Sequence, residues 1–299
     1  MKEKKLIEII KSTLQNEYIG DDCAYLKDLG ITVTQDSLVE DVHFKLDYTS
    51  AYQLGYKSVM VNISDICASG AKPLYLTISL SIPDYIDENF VKNFYEGAKF
   101  AAKDVQIVGG DITGSSKLYI SVTAIGSTKN RKISSRSNAK EGYKVIVSGE
   151  HGNSAQGLKI LLNKLKCEPC KKFINAHLMP VAQREFSKKI AENINCDYAM
   201  MDTSDGLADA LMQIAKSSKV KICVDSNKIP HDKSVDLQTV LYGGEDYQLV
   251  AAVPEEVLSK IPNCTVIGEI LSGKPGIEID GIFYSDIDNK IYNHFKGEK

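Results

Sequence analysis

Arginine is nearly absent. Among 299 residues only Arg131, Arg136 and Arg184 occur, and the formal net charge is −3. A nucleic-acid binder would usually show a basic stripe, so that class is set aside. No apolar run reaches the ~18–20 residues that a membrane helix needs, so no membrane partner is expected. The start of the chain is charged and lacks the apolar stretch of a secretory signal. Seven cysteines are scattered along it, an odd number. Without an export signal they read as reduced thiols of a cytoplasmic protein. The lone C-x-x-C, Cys167 to Cys170, has no second pair and reads as a loop at a helix end. Missing too are a P-loop (Ser115 stands where "GDITGSSK" would need lysine), G-x-S-x-G, H-E-x-x-H and a strand-borne G-x-G-x-x-G. The five histidines show no ligand spacing.

What remains is a globular composition, 43% hydrophobic and 25% charged, long enough for one large domain or two ordinary ones. Strands and helices are intermixed. Helical spacing appears at Leu6, Ile9, Ile10 and Leu14, and "GITVTQDSLV" reads as a strand ending near Asp36. A long helix follows, capped by Thr49 or Ser50 and stopped by Gly70. "LYLTISLSIP" is a strand, "DENFVKNFYEGAKFAAKD" an amphipathic helix, and "VQIVGGD" and "KLYISVTAIG" are strands. Residues 127–142 are polar and turn-rich, the best linker. Beyond them come the strand "YKVIVSG", helices near 154–165 and 180–194, the strand "DYAMMD" and the helix "DGLADALMQIAKSS". Strands near 220–224, 247–253 and 264–270 complete the chain.

The acids stand out by position. Asp21, Asp22, Asp36, Asp65 (on the long helix), Asp111, Asp202, Asp205, Glu245 and Asp246 nearly all stand beside Gly, Ser or another small residue at an element end. Any one of them could be a helix cap or turn residue. As a set they suggest convergence, and converging carboxylates raise one another's pKa unless a cation compensates. A hard, oxygen-seeking cation such as Mg²⁺, shared with phosphates, fits that pattern. The paired glycines of "VGGD" and "YGGED" would let backbone come close to a ligand while the next residue offers its carboxylate, or would simply make positive-φ turns at strand ends.

Taken together, "GDDCAYL", "TQDSLVEDVHF", "YKSVMVNISDICASGAKPLYLTISLSIP", "VGGDIT", "SSRSNAKEGYKVIVSG", "MDTSDGLADAL" and "YGGEDYQLV" resemble, in their order, the thiamine-monophosphate kinases of the aminoimidazole ribonucleotide synthetase superfamily. The resemblance spans about residues 17–295 and is specific as a set.

It implies a mixed α/β, two-domain fold: an N-terminal α/β domain over 1–135, whose sheet forms a barrel with that of a second subunit, and a C-terminal α/β domain over 136–299. It implies ATP-dependent phosphorylation of thiamine monophosphate to thiamine diphosphate in a homodimer, with several Mg²⁺ ions and with K⁺ as a further candidate cation. By position, Asp22, Thr34, Gln35, Asp36, Asp65, Asp111, Asp202 and Asp205 correspond to metal ligands. Gly110, Asp111, Arg136 and Ser204 correspond to ATP contacts, and His43, Glu245 and Tyr292 to contacts with thiamine. Gln35 stands where the family has threonine. A tyrosine usual before the "GGD" turn is replaced by Ala101 and Ala102, with Phe100 beside them. No side chain is assigned as a catalytic base, because a phosphomonoester, with its second pKa near ~6, is already an anionic nucleophile. The alternatives are another ATP-dependent enzyme such as aminoimidazole ribonucleotide synthetase, or a non-catalytic nucleotide-binding protein.

Overall fold

The computed structural model describes residues 3–165, 170–261 and 264–292. The N-terminal part runs α1 (Glu3–Leu14), β1 (Ala24–Leu26), β2 (Ile31–Val39), α2 (Ala51–Ala68), β3 (Lys72–Ile82), α3 (Glu88–Ala102), β4 (Gln106–Gly114) and β5 (Tyr119–Ser127). The C-terminal part runs β6 (Lys144–Val147), α4 (Asn153–Leu162), α5 (Cys170–Leu178), α6 (Arg184–Asn193), β7 (Ala199–Asp202), α7 (Leu207–Ser218), β8 (Lys221–Val224), α8 (Leu237–Tyr242), β9 (Leu249–Val253), β10 (Thr265–Leu271), β11 (Gly276–Ile279) and β12 (Ile282–Tyr284).

Two open sheets result. The first has the order β1-β2-β5-β3-β4, with β3 and β4 parallel and joined through α3. The second has the order β12-β11-β8-β10-β6-β9-β7, with β8 and β11 parallel. Strands alternate their faces, so Thr32, Thr34, Asp36 and Leu38 of β2 look toward α2, while Gln35 and Ser37 look the other way. The second face of this sheet, with Gln35, Tyr75 and Tyr119 on it, is open. Strand β2 does not stop near Asp36 but runs on to Val39, so Asp36 projects from mid-strand.

Helix α2 is buried on every side from Leu54 to Ser64. A helix apolar all round belongs in a core, and α2 lies between the two sheets. Its first core takes Leu76, Ile78, Ile120 and Val122 from one sheet and Ile146, Leu249, Ala251 and Val253 from the other. The alternate residues of β9, Val250 and Ala252, join a second core under α7. Strand β9 is therefore covered on both faces. Ser50 caps α2 through a reciprocal capping box with Gln53, and Gly70 takes φ +83 just past its end. Strands β1, β11 and β12 and helices α5 and α8 go beyond the sequence reading. Cys170 at the start of α5 is disulfide-bonded, so the cysteines are not all reduced thiols; residues 166–169 lie outside the described residues.

Candidate functional site

Three carboxylates converge between the sheets. Asp22 precedes β1, Asp65 lies on α2 and Asp202 ends β7, and one oxygen from each lies within 4.8 Å of the other two. Each has a fixed polar partner. Thr34 donates its hydroxyl to Asp65 at 2.7 Å. Ser64, one residue before Asp65, donates to Asp202 at 2.6 Å. The Arg136 guanidinium donates to Asp22 at 2.9 Å and to Gln213 at 2.6 Å, while its backbone N–H donates to Asp21 at 2.7 Å. Asp36 joins the group electrostatically, and its backbone N–H donates to Asn62 on α2 at 2.9 Å.

Burial, then the neighbouring acids, pushes the Asp65 and Asp202 carboxyls well above the usual carboxylate range. The Asp36 carboxyl is pushed up to about 6 by burial and by Asp22. Burial also raises Asp22, against the opposing pull of Arg136. Four acids and one guanidinium leave excess negative charge in a dry place. The donors are all hard oxygens, and thiol and imidazole take no part, which suits Mg²⁺ rather than zinc. The residues therefore fit a divalent cation.

A second cluster lies at the other end of α2. The Glu245 carboxylate meets Lys57 Nζ at 3.0 Å and His177 Nδ1 at 3.3 Å. His177 Nδ1 is also 3.1 Å from the Ser154 hydroxyl. Burial would raise Glu245, but Lys57 and then His177 outweigh it and hold the carboxyl below its ordinary value. His177 is itself driven down to about 4, by burial and then by Lys57, so near neutrality Lys57 carries the balancing charge. His43 and Tyr48, between β2 and α2, lie within the electrostatic reach of Glu245. His43 Nδ1 accepts the Val39 N–H at 3.0 Å, which leaves the ring proton on Nε2.

The "GGED" turn divides its acids. Asp246 accepts the N–H groups of Gly152 and Ser154 and caps α4, a structural role. Glu245 faces the other way. The positive φ falls on Glu245 (+65) and Tyr247 (+49), whereas Gly243 and Gly244 keep ordinary backbone. Glycine is needed at 244 because a Cβ there would lie 2.6 Å from the Ser204 carbonyl. Backbone approaches backbone here.

The other expected residues are more dispersed. The Gln35 side chain accepts the Thr123 hydroxyl at 3.0 Å on the far face of the sheet, away from the acids. Gly110 and Asp111 lie within the edge strand β4, in register with Ile78 and Ser79, and Asp111 is exposed and outside the trio. Ser204 accepts the Glu245 N–H on its carbonyl at 2.7 Å. Asp205 is half-buried, and Gly206 rather than Asp205 is the N-cap of α7. Tyr292 is exposed, beyond β12. Ala101 and Ala102 are buried, while Phe100 is 59% exposed, with Tyr52 and Tyr56 at 6.2 Å between ring centroids.

The sequence reading passed over Lys57, Asn62, Ser64, His177 and Gln213. Polar residues at 62 and 64 inside a run as apolar as "VMVNISDI" are the available signal for Asn62 and Ser64, since burial obliges each to have a partner. A depression of about 450 Å³ lies elsewhere, on the second sheet beside Lys144, Cys223, Lys228 and Glu278, and holds none of these acids.

The chain is similar to known proteins over nearly its whole length. The profile for "AIR synthase related protein, N-terminal domain" matches residues 20–128. A thiamine-monophosphate kinase of Aquifex aeolicus is 35% identical over 97% of each chain. The Bacillus subtilis thiamine-monophosphate kinase is 35% identical over 93% of each. The solved structure "AaThiL complexed with AMPPCP and TMP" superposes with a TM-score of 0.91 at 34% identity, over 98% of this chain and 97% of that one.

Proposed function

The chain belongs to the thiamine-monophosphate kinase family, and we propose that it transfers the γ-phosphoryl group of ATP to thiamine monophosphate at the acidic site between its two sheets, giving thiamine diphosphate and ADP. The observation that carries the location is the trio Asp22, Asp65 and Asp202, contributed by both sheets' surroundings and held by Thr34, Ser64 and Arg136. The relative with AMPPCP and TMP supports the pair of substrates.

Both substrates are anions, so positioning and charge neutralisation dominate the problem. Asp22, Asp36, Asp65 and Asp202 would hold Mg²⁺, with Thr34, the Gln35 carbonyl, Asp111 and Asp205 as further oxygens. The bound cation supplies the positive charge that lets two phosphates approach. Arg136 supplies a fixed one, kept protonated beside Asp22 despite its burial. Gly110 and Ser204 line the nucleotide path, and His43, Glu245 and Tyr292 receive the thiamine moiety. The nucleophile is a phosphate oxygen of thiamine monophosphate, mostly dianionic above its second pKa of ~6. Consistent with that, no side chain is assigned as a base.

The same reading divides the chain at 135/136 and pairs the open face of the first sheet with that of a second copy, forming a barrel in a homodimer. It places the enzyme in the cytoplasm, with ATP. Among the described residues no helix is long and apolar enough to cross a membrane.

The test is direct. Purified protein is incubated with ATP, Mg²⁺ and thiamine monophosphate, with and without K⁺, and followed by phosphorus NMR. Thiamine diphosphate appearing with ADP, and abolished by EDTA, is the expected outcome. ATP left intact, or ATP hydrolysed without thiamine diphosphate, overturns the assignment.

A further inference from the structure

We propose that Lys57 is the positioning residue for Glu245: its buried ammonium fixes the carboxylate that receives the cationic part of thiamine monophosphate, at a set distance from the metal-binding acids. The inference rests on reading Glu245 as a thiamine contact.

The ion pair is one-sided. Lys57 is 1% exposed, within a helix otherwise packed with Leu54, Met60 and Val61. An ammonium in such a place is costly unless it is paired. Its partner is not sealed in: about a quarter (24%) of the Glu245 side-chain surface remains accessible. The cation stands behind and the anion in front, open to an incoming group.

Glu245 is also held at its backbone N–H and at both carboxylate oxygens. Its N–H is tied to the Ser204 carbonyl at 2.7 Å, Oε1 to Lys57 at 3.0 Å, and Oε2 to His177 at 3.3 Å. Its φ of +65 is a conformation that a non-glycine residue rarely holds, and such strain persists only where the surroundings impose it. A strut between two halves of a protein needs none of this. A carboxylate that must meet a cationic ring in one orientation does.

Helix α2 supplies the distance. Lys57, Ser64 and Asp65 are spaced by seven and eight residues, which puts them on one stripe of the helix. Lys57 reaches Glu245 and Ser64 reaches Asp202, so one rigid rod spans both ends of the site. Eight residues of helix measure about 12 Å. Phosphoryl transfer depends on such spacing, since a misplacement of about 1 Å can cost about 10²-fold in rate.

The test compares Lys57→Met, Lys57→Arg, Glu245→Gln and the double variant Lys57→Met/Glu245→Gln, measuring kcat and KM for each substrate separately, with Tm alongside. Lys57→Met should raise KM for thiamine monophosphate about tenfold or more, a change worth about 1.4 kcal/mol, and leave KM for ATP near its starting value. Lys57→Arg should recover most of the loss. The double variant should bind thiamine monophosphate no more weakly than Glu245→Gln alone, because a residue acting through another adds nothing once that other is gone. If Glu245→Gln leaves KM for thiamine monophosphate unchanged, the thiamine-contact reading is what fails. If Glu245→Gln raises it while Lys57→Met lowers only Tm, or the two effects multiply, Lys57 is a structural strut and the proposal is overturned. Should Lys57→Met fail to fold around an unpaired Glu245, Lys57→Arg and the charge-free double variant still decide between these outcomes.

Discussion

Ser64 on α2 donates its hydroxyl to the buried carboxylate of Asp202 at 2.6 Å, across 138 positions of sequence. The neighbouring Asp65 takes the Thr34 hydroxyl, so two consecutive α2 residues reach strands of two different sheets. The acid site is thereby a product of how α2 sits between them.

Ser64→Ala should leave Asp202 with one donor fewer in a dry setting. A hydrogen bond to a charged group contributes about 1.5–3 kcal/mol, and a urea denaturation curve should register a loss of that order. The hydroxyl favours the ionised carboxylate, so the variant should need more Mg²⁺ for half-maximal activity and shift its activity profile to higher pH. Unchanged Mg²⁺ dependence would separate Asp202 from the metal.

Asp65→Asn should act in opposite directions on folding and on activity. Asp36, Asp202 and Asp22 all push the Asp65 carboxyl up, after burial itself. Removing its charge relieves that repulsion, so the metal-free protein should melt no lower than wild type. The rise in Tm on adding Mg²⁺ should shrink, because a ligand that binds only the folded state stabilises in proportion to its affinity. Turnover should fall about a hundredfold or more. Differential scanning calorimetry with and without Mg²⁺ would check the first two effects.

His151 should be a stability liability. It is fully buried, neither ring nitrogen has a hydrogen-bond partner among the described residues, and burial drives it down to about 3. The unfolded chain takes up a proton near pH 6.5 while the folded one refuses it until about pH 3. Stability from this group is therefore present above pH 6.5 and is lost as pH falls from there toward 3. His151→Leu should flatten that part of the stability profile and raise Tm at neutral pH, since burying an unpaired polar ring costs about 1–3 kcal/mol. Denaturation midpoints of both proteins from pH 7 to 4 would show the difference.

Gly110→Ala tests how β4 is held. A Cβ at 110 would fall 1.7 Å from the Ile78 carbonyl oxygen of β3, and the neighbour is backbone, which cannot swing aside. The strand must shift, at a cost of about 1–3 kcal/mol or more. Hydrogen exchange should rise along Gln106–Gly114 while the amides of β9 stay protected. If Gly110 also lines the nucleotide path, KM for ATP should rise with it.

The sequence by itself determined the element types, because period and caps are local properties. A cap at Thr49 or Ser50, the Gly70 stop and the strand over "GITVTQDSLV" are all legible in it, and so is the family's motif order; that Ser50 is the cap is seen only in the fold. It marked Asp22, Asp65 and Asp202 as acids out of place among apolar strands. What only the tertiary structure decided is which groups meet. Asp22, Asp65 and Asp202 come from three separate segments, and whether Asp111 joins them depends on β4 lying at a sheet edge. The division of labour in "GGED" was equally hidden: Glu245 and Asp246 are adjacent and chemically alike, yet one caps α4 and the other faces Lys57, because φ +65 at Glu245 turns their side chains apart. Lys57 was invisible for the same reason. A lysine in a sequence reads as a solvated charge until packing removes the solvent and a partner must be found.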